Sequence, residues 1–287
     1  MKTMGAKALW LTALLLVGAL CGCAAAANGP ETTLLVEITA FNVGKADAIL
    51  VRVGEKAYLI DAGTKKGFGD LAWALEQEGV TRLDGVFLTH VDKDHGGGLK
   101  PLAKTDISID AFYASPYFFK KDAEDNQIVQ AARARGMEVT WLEAGDAVEI
   151  AEDCRFEVLS PLGPDPEDEN NNSLVMKLIT PEGRALLTGD MEKEGEQLLL
   201  ATEADLSAVY LKVAHHGRDT ATSTAFAEAV SPEIAVISTD TVEEPRSADP
   251  DVVKRLEKAG ATVYVTEDHE RGVKVRLEGG HAVYVEQ

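Results

Sequence analysis

Six histidines occur in the 287-residue chain, and four of them fall in two short segments: His90 and His95 in Thr89-His90-Val91-Asp92-Lys93-Asp94-His95, and the pair His215-His216 before Gly217. His90, Asp92, Asp94 and His95 put two imidazoles and two carboxylates within six residues. That donor set suits zinc, manganese or iron. With three cysteines in the whole chain, two of them near the amino terminus, a thiolate site is excluded. Capping of a helix by Asp92 or Asp94 would account for one carboxylate and leave the rest unexplained. No G-x-S-x-G segment supplies a serine nucleophile, and Ser173 has no histidine beside it in sequence. The chemistry these residues suggest is metal binding, and a bound cation can activate a water.

The elements that must hold these residues can be read from hydrophobic patterning. Runs rich in Val, Ile and Leu at 34–42, 46–53, 57–61, 84–89, 109–113, 147–150, 155–159, 173–180, 184–188, 208–214, 234–238, 262–266, 272–278 and 282–285 predict strands. Helical patterns fall at about 67–79, 122–136, 191–202, 223–230 and 249–259. The mixture predicts two packed sheets with helices outside, in one domain. The first cluster follows the strand Val86-Phe87-Leu88-Thr89, and Gly96-Gly97-Gly98 are expected to let the backbone turn tightly into the next helix. The loop-like segment Pro161–Asn172 is expected to join the two halves.

The segment His90–His95 resembles the H-x-H-x-D-H metal-binding motif of the metallo-β-lactamase-fold hydrolases. Phe41-Asn42-Val43-Gly44-Lys45-Ala46-Asp47-Ala48 is similar to the F-D-V-G-Q-G-D-A opening of the subgroup related to the C-terminal domain of the ComEC-type DNA-uptake channel. Leu59-Ile60-Asp61-Ala62-Gly63, Leu187-Thr188-Gly189-Asp190 and His215-His216-Gly217 follow in the order that subgroup shows. The resemblance covers residues 34–287 and implies a four-layer αββα sandwich of the α/β (α+β) class. It also implies one or two divalent ions, Zn2+ or Mn2+. One position would be held by His90 and Asp92, the other by Asp94, His95 and one of His215 or His216, with Asp190 bridging. Asp94, Asp190 and His216 would then be the catalytic groups. Asp92 stands where most relatives have a second histidine, and Asn170-Asn171-Asn172-Ser173 stands where many have a further one ahead of the bridging aspartate, so a single-metal site remains the alternative. Asp47 and Asp61, each at a strand end near a glycine, are expected to orient the ligands, with turn stabilisation as the other role open to them.

Charge bounds the partners. With 28 Lys+Arg against 48 Asp+Glu the net charge is 28 − 48 = −20, which argues against a broad electrostatic grip on nucleic acid or anionic lipid. Yet Lys45, Lys65, Lys66, Lys93 and Arg218 lie within a few residues of the presumed ligands, and a basic rim of Lys45, Lys93 and Arg218 would suit an anionic phosphoester such as DNA. Tyr113, Tyr117, Phe118 and Phe119, followed by Lys120-Lys121, could stack the bases of a single strand or pack on the core. The rival activities are hydrolysis of a lactone, thioester or β-lactam, and metal-dependent binding without catalysis. No protein partner is expected.

Lys2 and Lys7 precede a 13-residue apolar run, Ala8–Leu20, that is too short to span a bilayer comfortably and reads as an export signal. Leu20-Cys21-Gly22-Cys23 resembles a bacterial lipobox. The expected division is therefore a signal peptide at 1–22, a tether at 23–32 carrying a lipid anchor on Cys23, and a hydrolase domain at 33–287, placed at the outer face of the cytoplasmic membrane. An ordinary secretory cut between Ala24 and Ala27 is the alternative. Cys154 is left without a disulfide partner in either case.

Overall fold

The computed structural model describes residues 34–120 and 122–287, so the expected signal peptide, the lipid-bearing Cys23 and the tether lie outside the described residues. The strands are β1 (Val36–Phe41), β2 (Ile49–Val53), β3 (Lys56–Ile60), β4 (Arg82–Leu83), β5 (Gly85–Leu88), β6 (Ser108–Ile109), β7 (Phe112–Ala114), β8 (Val139–Trp141), β9 (Ala147–Ala151), β10 (Cys154–Ser160), β11 (Val175–Thr180), β12 (Gly183–Leu187), β13 (Tyr210–Lys212), β14 (Ile234–Ile237), β15 (Thr262–Val265), β16 (Gly272–Glu278) and β17 (His281–Val285). They form an eight-stranded sheet in the order β17-β16-β1-β2-β3-β5-β7-β8 and a seven-stranded sheet in the order β15-β14-β13-β12-β11-β10-β9, with β4 and β6 as a separate pair.

Period-two alternation builds the layers. In β2, Ile49, Val51 and Val53 face the second sheet while Leu50 faces outward; in β14, Ile234 and Val236 face inward while Ala235 and Ile237 face the other way. The inward sets form one apolar core between the sheets. On the outer face of the first sheet lie α1 (Phe68–Gln77), α2 (Lys93–Gly96), α3 (Leu99–Leu102) and α4 (Gln127–Ala134), with Leu71, Leu75, Leu99 and Ile128 packed against it. The second sheet is covered by α5 (Lys193–Leu200), α6 (Thr224–Val230) and α7 (Pro250–Lys258) through Leu199, Phe226, Val252 and Leu256. This is the expected αββα sandwich.

Parallel pairing decides where chemistry can sit. Strands β3, β5, β7 and β8 run parallel, as do β12, β13, β14 and β15. Loops leaving the carboxyl ends of parallel strands converge on one edge of the sheets, where ligand sites form in such folds. Asp61 follows β3, His90–His95 follow β5, Asp190 follows β12 and His215–His216 follow β13.

Two expectations are corrected here. The segment Pro161–Asn172 does not join the halves, because β10 and β11 are antiparallel neighbours in one sheet. The chain crosses to the second sheet between β8 and β9 and returns to the first between β15 and β16. Proline and acidic residues signalled a loop, and the loop is spent on hydrogen bonds: Asn172 takes the Asp165 amide at 2.8 Å and its own amide donates to the Asp165 carbonyl at 2.7 Å. The glycines at 96–98 are needed for close approach and not for a turn, since Gly97 and Gly98 have ordinary helical backbone angles. A Cβ on Gly98 would lie 2.0 Å from the Ala62 carbonyl oxygen, and one on Gly97 2.6 Å from the Lys65 amide nitrogen. Gly98→Ala is thus expected to cost about 1–3 kcal/mol by overpacking the loop that carries Asp61. Thermal unfolding checks this, and a melting temperature unchanged within about a degree would contradict it.

Candidate metal centre

Four imidazoles surround one carboxylate. The Nε2 atoms of His95, His216, His90 and His215 lie 3.3, 3.4, 3.9 and 4.0 Å from Asp190 Oδ2. Asp94 Oδ2 stands 3.5 Å from His216 Nε2. The other ring nitrogen of each histidine is occupied. His95 Nδ1 donates to Asp61 Oδ2 at 2.7 Å and His216 Nδ1 to the Ser238 carbonyl at 2.8 Å. His90 Nδ1 contacts Thr89 Oγ1 at 3.1 Å and Ser173 Oγ at 3.4 Å, and His215 Nδ1 meets Thr220 Oγ1 and Glu192 Oε1, each at 2.9 Å. These partners fix the ring orientations and turn each Nε2 toward Asp190.

The backbone pays strain to hold this arrangement. His215 and His216 have φ of 48° and 54°, both in the left-handed region, and Asp61 has φ of 60°. Asp61 is locked there by Thr89, whose amide and hydroxyl donate to its two oxygens at 2.8 Å each. Asp190 receives its own fixing bond from the chain, donating its amide to Ser173 Oγ at 3.1 Å.

The donors fit a divalent cation. The Nε2 atoms of His90, His95 and His216 and Asp190 Oδ1 are buried without a hydrogen-bond partner in the protein. Buried polar atoms left this way are costly unless something binds them. His90, His95 and Asp190 bring ligand atoms within 4.8 Å of one another, as do Asp94, His95 and His216. Asp94, His95, His216 and Asp190 would hold one cation, and His90 with Asp190 would begin a second position beside His215.

Cation-free, the cluster stabilises itself with protons. Burial opposes charge on His95 and His216, but Asp190 with Asp61 for the first, and Asp190 with Asp94 for the second, outweigh it and raise both pKa values. Burial likewise works against the Asp190 carboxylate, yet His95 and His216 hold its pKa well below the usual range. His90 behaves oppositely: burial, then the charge of His95, pushes it down to about 4. The raised histidines contribute stability that is complete below the unfolded value of about 6.5 and is lost as pH rises through the folded one, whereas the lowered carboxylates contribute above about 3.9 and lose it in acid. His90 works the other way and costs stability as pH falls from about 6.5 toward 4, so chelator-treated protein is expected to melt highest near pH 6.5 and to weaken from there toward pH 8, with added zinc reversing the loss at about pH 8. A melting temperature that is flat across that range, or that rises toward pH 8 without metal, would contradict the assignment.

Other sequence-predicted residues are placed less simply. Asp92 is not drawn into the cluster, since Lys120 Nζ binds both its oxygens at 2.9 Å. Of the expected rim, Lys45 pairs with Asp94 and Arg218 pairs with Glu244, so both charges are committed inside the protein. Lys93 is exposed and, among the described residues, has no carboxylate within 4 Å. Tyr113 stacks on Phe87 at 4.6 Å and Phe118 on Trp141 at 5.7 Å, while Phe119 is half exposed. Ser173 and Cys154 are buried, and neither can reach a substrate.

Residues that sequence reading missed include Glu192, Thr220, Ser238 and above all Lys212. Its side chain is wholly buried, with Nζ 2.9 Å from Asp47 Oδ2 and donating to the Val213 carbonyl at 2.8 Å. The signal was available: in the apolar run Val209-Tyr210-Leu211-Lys212-Val213, whose centre is the buried parallel strand β13, one lysine interrupts what is ordinarily apolar throughout.

Comparison with known proteins identifies the family. Residues 42–252 match the family described as the metallo-beta-lactamase superfamily. The chain is 32% identical over 220 residues to "ComE operon protein 3" of Bacillus subtilis (strain 168), covering 70% of this chain and 28% of that protein. It is also 32% identical over 203 residues to "Competence protein ComA" of Neisseria gonorrhoeae, covering 70% and 26%. The chain thus spans about a quarter of the length of these relatives. Among solved structures, the metallo-beta-lactamase fold protein YhfI from Bacillus subtilis superposes with a TM-score of 0.55 at 12% identity, covering 85% of this chain and 99% of that one, a likeness of fold alone. The family match spans most of the chain and includes the His90–His95 segment, Asp190 and the histidine pair, so the chain belongs to the metallo-beta-lactamase superfamily.

Proposed function

We propose that this protein hydrolyses phosphodiester bonds, in DNA or another anionic phosphoester, with one or two zinc or manganese ions. The observation that carries the reading is the convergence of four imidazole Nε2 atoms on the buried Asp190 carboxylate, with Asp94 beside His216. A cation held there would supply Lewis acidity toward a phosphoryl oxygen and lower the pKa of water. Asp61, through His95, and the Ser238 carbonyl, through His216, keep those rings aimed during the reaction. Ser173 supports Asp190 and is too buried to act as a nucleophile, which leaves water in that role. The similarity to two competence proteins and the free charge of Lys93 at the start of α2 favour an anionic substrate.

Metal-loaded protein assayed against bis(p-nitrophenyl) phosphate, single-stranded DNA and nitrocefin tests the reading. Cleavage of the first two is expected, and cleavage of nitrocefin alone would move the assignment to the β-lactam class. Lys93→Ala is expected to raise KM for DNA about fivefold with little change in kcat and to flatten the salt dependence, because an exposed charge contributes uniform binding and steering. Arg218→Ala should do less, since Glu244 already neutralises it. An equal fall in kcat for Lys93→Ala would contradict this division.

The same proposal places the protein outside the cytoplasm, lipid-anchored through Cys23. Among the described residues no helix is long and apolar enough to cross a membrane. Anchoring is checked by detergent partitioning: Cys23→Ala should shift the protein to the aqueous phase, and parent-like partitioning would overturn the anchor.

A further inference from the structure

Lys212 is a fully buried cation that the proposed reaction does not use. Its partner Asp47 is also fully buried and comes from the other sheet: Lys212 ends β13 of the seven-stranded sheet, whereas Asp47 lies in the loop between β1 and β2 of the eight-stranded one. The 2.9 Å pair therefore bridges the two sheets directly beneath the metal centre. That centre is itself divided between the sheets. His90, Asp94 and His95 come from the first, and Asp190, His215 and His216 from the second.

Each end of the pair is fastened to the ligand loop on its own side. The Asp47 amide donates to the Asp94 carbonyl at 3.0 Å, and the Gly63 amide donates to the Asp47 carbonyl at 2.7 Å, which ties in the loop of Asp61. The Lys212 carbonyl accepts from Thr188 Oγ1 at 2.6 Å, two residues before Asp190, and its ammonium donates to the Val213 carbonyl at the entrance to the histidine turn. Asp47 also approaches the outer edges of two rings, with Oδ1 3.8 Å from His216 Nδ1 and Oδ2 3.9 Å from His95 Nδ1. Those nitrogens already donate elsewhere, so Asp47 acts on them by charge and position and not as their hydrogen-bond acceptor. Buried ion pairs are poor stabilisers, and an apolar pair of the same volume would often serve the fold as well or better. A pair kept at this place points to a role in the site above it.

We propose that Lys212 is a positioning residue of the metal centre, whose salt bridge to Asp47 clamps the two ligand-bearing halves at the separation a divalent cation requires. The clamp rests on the metal assignment and is independent of the phosphodiester reading. Its effect is on affinity, because misplacing groups behind the ligands weakens metal binding by about ten- to a hundredfold.

The test compares parent, Lys212→Met and the double variant Asp47→Asn/Lys212→Met. The zinc dissociation constant is measured by competition with a chromophoric chelator, and the melting temperature is measured on chelator-treated protein. Lys212→Met is expected to lose both stability and zinc affinity, because Asp47 is left buried and unpaired. The double variant removes the lone charge, so it should recover most of the melting temperature while still binding zinc about tenfold or more weaker than the parent. That divergence separates positioning from mere structural support and remains readable if Lys212→Met alone fails to fold. Parent-like zinc affinity in the double variant would overturn the clamp, as would parent-like affinity in Lys212→Met. Neither outcome would touch the phosphodiester reading, whose failure would show instead as zinc-loaded parent that cleaves no phosphodiester.

Discussion

Asp190→Asn is expected to lower phosphodiester turnover by about a hundredfold or more, the scale of losing a charge placed to stabilise a transition state. The substitution keeps shape and size but removes the negative charge on which four imidazole edges converge, two of them at 3.3 and 3.4 Å. The amide backbone bond to Ser173 Oγ is untouched, so the loop should stay in place. Metal occupancy measured on the same sample separates loss of the cation from loss of its alignment. Turnover within about threefold of the parent would remove Asp190 from the centre of the mechanism.

The second large effect concerns occupancy. His95→Ala/His216→Ala removes the two rings that approach Asp190 most closely, and with them the Asp94 contact of His216. Purified after growth with zinc and manganese, this variant should hold less than about 0.2 equivalents of metal, whereas the parent should hold about one or two, given the high affinity of such donor sets. The fold should survive, because both rings lie beyond the strand ends, His95 in the short α2 and His216 in the turn after β13, outside the three apolar clusters. Circular dichroism matching the parent together with lost metal is the expected pair of results. Full occupancy in the variant would place the metal elsewhere.

Much of this architecture was legible because it rests on local pattern. Ile49–Val53 and Ile234–Ile237 stand out in the sequence as near-continuous apolar runs, the mark of strands buried on both faces, although which residue faces which layer is visible only in the sheets. Strand Val139–Trp141 was not legible: it has three residues at a sheet edge, two of them exposed, and so carries no alternation to read. The short helix Lys93–Gly96 was hidden by the glycine run, and of Leu99–Leu102 only its place after the glycines was read, because their purpose, close packing on Ala62 and Lys65, is a tertiary fact.

The site divides the same way. His90, Asp94, His95, Asp190 and the histidine pair could be selected by residue type and order. That His216 faces Asp94 while His215 leans on Glu192 and Thr220 depends on two consecutive left-handed residues, which no spacing rule supplies. The diversion of Asp92 to Lys120, and of Arg218 to Glu244, likewise depends on partners 28 and 26 residues away.

The central claim is that cation binding at this cluster creates phosphodiester hydrolysis. Its most direct test is a titration of chelator-treated protein with zinc or manganese, following cleavage of single-stranded DNA against equivalents of metal bound. Cleavage should be absent at the start, rise with occupancy and saturate at about one or two equivalents, the capacity of the donor set. Full occupancy without cleavage, or cleavage that is undiminished before metal is added, would contradict the account.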